Sequence, residues 1–228
     1  MEGQNSSKYC YENGTLINKF HTDNKEILKL EEIKYSVTRI AEIENAITNE
    51  NEEFLKNFRH MNYVTNYLNI HKYIFGDIYD FAGEIRDESI HKTNEPYFPG
   101  VTPFCYPSFI FDNLSDLLSK MHNHIQRIKT REELINFLAS YYIEINMVHP
   151  FREGNGRTLR TYMKLFVHEV NEILPFEDVE INYSLWTKED RQNLLKATIE
   201  STYSDSCEKL IPFFDKVLTY KENKNIKK

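Results

Sequence analysis

The sequence predicts an all-α domain broken by one irregular segment, and three observations carry that reading. Apolar residues recur at steps of three and four over most of the chain, the period of a helix face, as in Leu134, Phe137, Leu138, Tyr141, Tyr142, Ile145 and Val148. Pro96, Pro99, Gly100, Pro103 and Pro107 crowd into residues 84–108, where they forbid a regular helix. Two glycines around Asn155 separate one helical run from the next, which resumes with Leu159, Met163, Phe166, Val167 and Val170. The pattern calls for about seven or eight helices.

Composition bounds the rest. With 228 residues, 40% of them hydrophobic and 14% aromatic, the chain can bury one sizeable core. We expect a single domain over 1–220. The net charge of −7 argues against a nucleic-acid-binding surface, which needs a basic face. No window approaches the ~18 uncharged apolar residues of a transmembrane helix, so no membrane partner is expected. The first residues lack the basic and apolar regions of a signal peptide, so the expected location is the cytoplasm. Cys10, Cys105 and Cys207 are odd in number and widely spaced, suggesting neither a disulfide framework nor a zinc site. His122 and His124, two apart on a helix, point in different directions and are expected at the surface.

In chain order, 1–24 is polar with scattered aromatics and reads as an arm laid over the domain. A helix over 25–47 is expected to bury one face made of Ile27, Leu30, Ile33, Val37, Ile40 and Ile47. Another over 62–79 buries Leu68, His71, Ile74, Phe75 and Ile78; His71, on this apolar face, reads as a structural histidine. Glu84 to Asn94 reads as a short strand. Helices follow over 109–128 and 131–148, and a third ends near residue 170. Residues 171–182, with Pro175, form a connector. Trp186 is expected in the core at the start of a last helical region running through Leu194, Leu195, Ile199, Leu210, Phe213 and Val217. The basic end, 221–228, reads as a disordered tail.

The chemistry concentrates at 149–160, His-Pro-Phe-Arg-Glu-Gly-Asn-Gly-Arg-Thr-Leu-Arg. Gly154 and Gly156 allow the loop around Asn155 to turn its N–H groups inward. The helix opened there has unpaired N–H groups and a partial positive charge, which favour an anion. Arg157 and Arg160, three apart, share one helix face and suit a chain of phosphates. Glu153 is a hard oxygen ligand of the kind that holds Mg2+ beside phosphates. His149 is suited to act as a general base near neutral pH. Phe151, between polar neighbours, is expected to anchor the segment in the core. Together these residues describe a nucleoside-triphosphate site with a base beside it. The competing reading is a plain helix hairpin closed by a Gly-Asn-Gly turn.

This stretch resembles the motif of the Fic family, His-x-Phe-x-(Asp/Glu)-Gly-Asn-Gly-Arg-x-x-Arg, at every defined position. Ile70-His71, Phe75, Asp77-Ile78-Tyr79, Phe81-Ala82-Gly83 and Arg86 resemble the family's pattern upstream, and Tyr11 to Phe20 loosely resembles the opening of compact bacterial Fic toxins. The resemblance implies an all-helical domain with a small β-hairpin flap, and a protein adenylyltransferase that moves AMP from ATP onto a Ser, Thr or Tyr hydroxyl of a target protein. It assigns the α-phosphate to Asn155 and its neighbouring N–H groups, and the outer phosphates to Arg157 and Arg160. It makes Ile90, His91 and Lys92 the flap residues. Related transferases move UMP, phosphocholine or phosphate, and a regulator could bind nucleotide without catalysis; the complete motif here favours AMP.

The resemblance also raises the question of control. Many members carry Ser/Thr-x-x-x-Glu-(Gly/Asn), whose Glu pairs with the second motif arginine, here Arg160. Thr22, Thr38, Thr48, Ser140 and Ser204 each have a Glu four residues on, but none is followed by Gly or Asn. The expectation is therefore inhibition in trans, by a small antitoxin-like helical protein, with Glu44 or Glu208 as degenerate internal candidates.

Overall fold

The computed structural model describes residues 7–60 and 62–221, and within them the chain folds as eight α-helices with two small antiparallel strand pairs. The helices are α1 (Lys25–Thr48), α2 (Glu52–Leu55), α3 (Tyr63–Phe75), α4 (Pro107–His124), α5 (Arg131–Val148), α6 (Asn155–Val170), α7 (Lys188–Ser204) and α8 (Ile211–Val217). Their starts follow the side chains that precede them. Asn24 accepts from the N–H groups of Glu26 and Ile27, Asn62 accepts from Thr65, and Thr130 and Thr187 form reciprocal capping boxes with Glu133 and Asp190. Pro107 opens α4, where a missing N–H costs nothing.

Helix α5 is the centre of the fold, packing against α4, α6, α7 and α8, while α3 closes the bundle against α4 and α6. The core is unusually aromatic between α3, α5 and α6: Tyr67, Phe137, Tyr162 and Phe166 pack edge or face onto one another or onto Phe151. Strand β1 (His91–Thr93) pairs with β2 (Val101–Pro103), His91 facing Pro103 and Thr93 facing Val101. This is the hairpin the resemblance implies, although the strand expected over 84–94 forms only at 91–93. Trp186 is buried and donates from Nε1 to Phe213 O at 3.1 Å. The arm lies against the α3–β1 connection, with Lys19 N–H donating to Ile78 O at 2.9 Å and Tyr9 packed edge-on to Phe81.

Four expectations need correction. In α1 the stripe Ile27, Leu30, Ile33 and Val37 faces solvent, each roughly half exposed or more. The buried face instead carries Leu28, Ser36, Ile43, Ala46 and Ile47. Glu32 and Ser36 turn inward because they receive Arg157, so the first half of the buried face is partly polar and the outer apolar stripe is not the packed one. The connector 171–182 holds a strand, β3 (Val179–Ile181), paired with β4 (Leu218–Tyr220). Three residues are too few for alternation to reveal it. Helix α3 stops at Phe75, four residues early, where Gly76 caps it and the Ile78 and Tyr79 N–H groups both turn back to Phe75 O. His122 is no simple surface residue: it stacks on Tyr63 at 3.7 Å and bonds the Tyr162 hydroxyl, and burial lowers its pKa to about 4. The basic tail lies outside the described residues from residue 222 onward.

Candidate active site

Helix α5 ends at His149, which adopts a left-handed conformation (φ 46°, ψ 61°) and so turns the chain sharply away from the helix axis. Its Nδ1 lies 3.0 Å from Asn146 O. A carbonyl can only accept, so Nδ1 carries the proton and Nε2 is left as the basic nitrogen. Burial lowers the imidazole pKa to about 4, aided by the nearby charges of Lys92 and Arg86. The ring is therefore neutral at physiological pH.

The backbone around it is fixed by Arg86, whose side chain is almost fully buried. Arg86 donates from Nε to His149 O (2.8 Å), from Nη1 to Glu88 O (2.7 Å), and from Nη2 to Cys105 O (2.6 Å) and Val148 O (3.5 Å). Its own N–H reaches Pro150 O at 2.9 Å. A buried guanidinium without a carboxylate is tolerated here because carbonyls take its protons, two of them at the negative end of α5. This burial lowers its pKa.

Phe151 is completely buried, as expected, with its ring stacked on His71 (3.7 Å) and parallel to Tyr67 (5.7 Å). His71 is the structural histidine the sequence suggested. Its Nδ1 accepts from Gly83 N–H and its Nε2 donates to Glu153 O, and burial takes its pKa to about 3. Asn155 has a structural role beside the one the resemblance implies. Its amide accepts from Phe151 N–H (2.8 Å) and donates one Nδ2 hydrogen to Phe151 O (2.7 Å), so the side chain shapes the turn and keeps one further donor. Gly154 has φ +80°, and a Cβ there would sit 2.4 Å from the Phe75 ring, so no other residue fits. Gly156 lies inside α6 without a positive φ; its bare Cα instead leaves room for Arg160, whose Nη1 would be 3.3 Å from a Cβ.

No side chain caps α6. The N–H groups of Asn155, Gly156 and Arg157 have no partner among the described residues, and Asn155 and Gly156 line a cavity of about 370 Å³. His149, Glu153, Gly154, Asn155, Gly156 and Arg160 all line it, as do Ile90, His91 and Lys92 of the hairpin. Arg157 does not. Its guanidinium turns to α1, meeting Glu32 Oε1 at 2.5 Å and Ser36 Oγ at 3.0 Å, and lies over the Phe75 ring. The two arginines, although three residues apart, thus leave the helix toward different neighbours. Arg160 makes no hydrogen bond or ion pair with any described residue. Glu44 pairs with Lys164 instead, at 2.7 Å, and Glu208 lines a separate groove.

Two further cations enter the cavity that sequence reasoning missed, Arg152 and Arg191. Arg152 Nη2 reaches Cys10 Sγ at 3.6 Å while its buried Nε has no partner, and the site as a whole is lined by four cationic side chains and a single carboxylate. Nothing in the local pattern marks Arg191, which sits in an ordinary polar turn of α7. The carboxylate is Glu153, whose Oε1 takes the Gly154 N–H at 2.8 Å and a longer bond from Arg157 Nη2 at 3.4 Å, while Oε2 has no partner among the described residues. Among the described residues no cluster of three or more metal-ligating side chains exists. A metal could be held here only with oxygens of a ligand completing its shell, the habit of Mg2+ rather than zinc. The hairpin is latched over the cavity: Asn94 Nδ2 donates to the Tyr203 hydroxyl (2.8 Å), which donates to Val101 O (3.3 Å).

Residues 63–167 match the Fic/DOC family. This chain carries a Fic/DOC domain. It is 33% identical over 138 residues to the protein adenylyltransferase VbhT of Bartonella schoenbuchensis, covering 60% of this chain and 25% of that protein. It is 25% identical over 179 residues to the Escherichia coli protein named "Probable protein adenylyltransferase Fic", covering 78% of this chain and 80% of that one. The chain spans only about a quarter of VbhT's length. Among solved structures, the N-terminal Fic domain of a Bep effector protein from Bartonella quintana with bound ADP superposes with a TM-score of 0.75 at 22% identity, over 94% of this chain and 95% of that one. BepC from Bartonella tribocorum with bound AMPPNP gives 0.71 at 19% identity, over 94% and 97%. These two likenesses establish the fold.

Proposed function

We propose that this chain is a protein adenylyltransferase that moves AMP from ATP to a Ser, Thr or Tyr hydroxyl of a target protein. The observation that carries the reading is one cavity lined by a neutral, desolvated His149, by the uncapped end of α6 and by the unpaired Arg160. A base and an anion cradle in a single space suit attack on a phosphorus. The names of VbhT and the E. coli relative, and the adenine nucleotides in the two Bartonella structures, support ATP as the donor.

In this reading the free N–H groups of α6 and the Arg160 guanidinium receive the phosphate chain, with Arg152 and Lys92 at its sides. Glu153 would hold Mg2+, which supplies charge neutralisation to the phosphates when bound. His149 Nε2 takes the proton of the target hydroxyl. That oxygen forms a bond to the α-phosphorus as the bond to the departing pyrophosphate breaks, and the cations stabilise the charge the pyrophosphate carries away. Incubating the protein with a cell lysate and labelled ATP, then mass-mapping the labelled peptides, tests this. An added AMP on a hydroxyl side chain is expected; a different added group, or no modification dependent on His149, overturns the reading.

We further propose that the chain acts as the toxin of a pair whose antitoxin supplies an inhibitory Glu in trans. Two observations support this: Arg160 has no carboxylate partner among the described residues, and the apolar stripe of α1 is left uncovered.

A further inference from the structure

A second depression, an open groove of about 940 Å³, lies on the other side of the flap hairpin. It shares two wall residues with the nucleotide cavity, Phe104 and Thr202. Phe104 is the ring stacked on His149 at 3.7 Å, so the groove begins one side chain away from the proposed base.

The two spaces have opposite polarity. The first is lined by Lys92, Arg152, Arg160 and Arg191. The second is lined by four carboxylates, Asp116, Glu144, Asp205 and Glu208, and by no Lys, Arg or His. Among the described residues only Asp116 has a cation in an ion pair, Lys120 at 2.7 Å. Glu144 receives nothing stronger from them than the Ser140 hydroxyl at 3.2 Å, and the Asp205 and Glu208 carboxylates have no partner among the described residues. The floor between them is apolar, with Leu117, Ile143 and Met147. One wall contains Ser201, which is 1% exposed and whose Oγ has no hydrogen-bond partner. A buried hydroxyl left without a partner in a groove wall is costly unless an occupant completes it.

We propose that this groove is a docking site for the protein acceptor, and that it takes a Lys- or Arg-bearing stretch of that protein next to the hydroxyl to be modified. The proposal rests on the adenylyl-transfer reading and names the substrate class it leaves open. Stems of Lys or Arg lie along the apolar floor while their charges meet Glu144, Asp205 and Glu208, and the chain's backbone supplies the partner for Ser201. An extended chain advances ~3.3 Å per residue, so a cation about two to four positions from the acceptor hydroxyl reaches the groove. The basic nucleotide cavity would repel the same cation, which fixes the direction in which the acceptor lies.

The test uses the whole chain and short fluorescent peptides with a central Ser, Thr or Tyr, flanked on one side by a pair of lysines or of alanines. Binding is read by anisotropy without nucleotide, and transfer by labelled ATP. Lysine peptides should bind and be labelled about tenfold better than alanine peptides, a preference that fades with added salt. The variant Glu144→Gln/Glu208→Gln should lose the preference while its affinity for ATP, read by calorimetry, is unchanged. Equal binding of both peptide sets overturns the proposal, as does a preference that survives in the variant. A wild-type dimer that the variant dissociates, with no peptide preference, would give the groove to a second copy and equally overturn it. A lysine preference in binding without any transfer upholds the groove and removes the adenylyl-transfer reading instead.

Discussion

Phe104 lies flat on His149, the ring centroids 3.7 Å apart and the planes 12° from parallel. It strips water from one face of the imidazole, and desolvation is the largest cause of the pKa near 4. The neutral, basic form is therefore present above about pH 4 and lost below it. Transfer should stay level from neutral pH down to about 5 and fall only as pH approaches 4. Phe104→Ala should re-solvate the ring and move this acid limb up by about one or two units, toward the ordinary histidine value. Initial rates across pH for the two proteins decide the matter; an unchanged limb would separate the stack from the titration.

His71, His122 and His149 all titrate well below 6.5 in the fold. The unfolded chain takes up these protons first, so stability should drop as pH falls from about 6.5 toward 4, by up to ~1.4 kcal/mol per pH unit for each histidine. Urea midpoints at neutral pH and at about pH 5 should show the loss.

The two motif arginines should part company when replaced. Arg157→Ala leaves Glu32 inward-facing without its cation, costing about 2 kcal/mol and lowering the melting temperature by roughly 4–8 °C. Arg160→Ala should leave melting unchanged and weaken ATP binding about tenfold. Calorimetry and thermal melts on both variants give the comparison. An Arg157→Ala protein of normal stability that no longer binds ATP would reverse the assignment.

Gly154→Ala should be severe. The added methyl meets the Phe75 ring at 2.4 Å, and the φ of +80° is strained for alanine, a combined cost of roughly 2–4 kcal/mol. A fall in denaturant midpoint together with loss of ATP binding is expected, and a protein as stable as wild type would show that the turn is softer than its contacts imply.

Produced alone in a bacterial host, the chain should arrest growth, and His149→Ala should relieve the arrest. Because Glu44 is held by Lys164 and Glu208 faces the second groove, neither Glu44→Gly nor Glu208→Gly should deepen the arrest. A harmless wild type that either substitution switches on would place the inhibitor inside the chain.

Much of this was legible in the residues. The helices around 131–148 and 155–170 follow directly from period and glycine breaks, and the aromatic and basic positions of the motif named the site. What stayed hidden was where side chains point. Arg157 and Arg160 look alike in sequence, yet only packing against Glu32 and Ser36 reveals that one of them turns to α1. Asn155 offers the same donors and acceptor whether it meets a phosphate or the Phe151 backbone. The α1 stripe misled for a related reason, since apolar period gives the presence of a face but not the side from which the protein body approaches. Arg152 and Arg191 reach the cavity from an unconstrained motif position and from a distant helix, which no local spacing records.

Arg86 joins segments far apart along the chain, taking carbonyls at 88, 105, 148 and 149 at once. None of those bonds has value until the others form, because a partly satisfied guanidinium would be stranded away from water. The root of the flap and the end of α5 are thereby tied into one hydrogen-bonded unit. In amide exchange the N–H groups at Arg86, Cys105 and His149 should open together, as one cooperative unit, rather than fray separately as surface loops do.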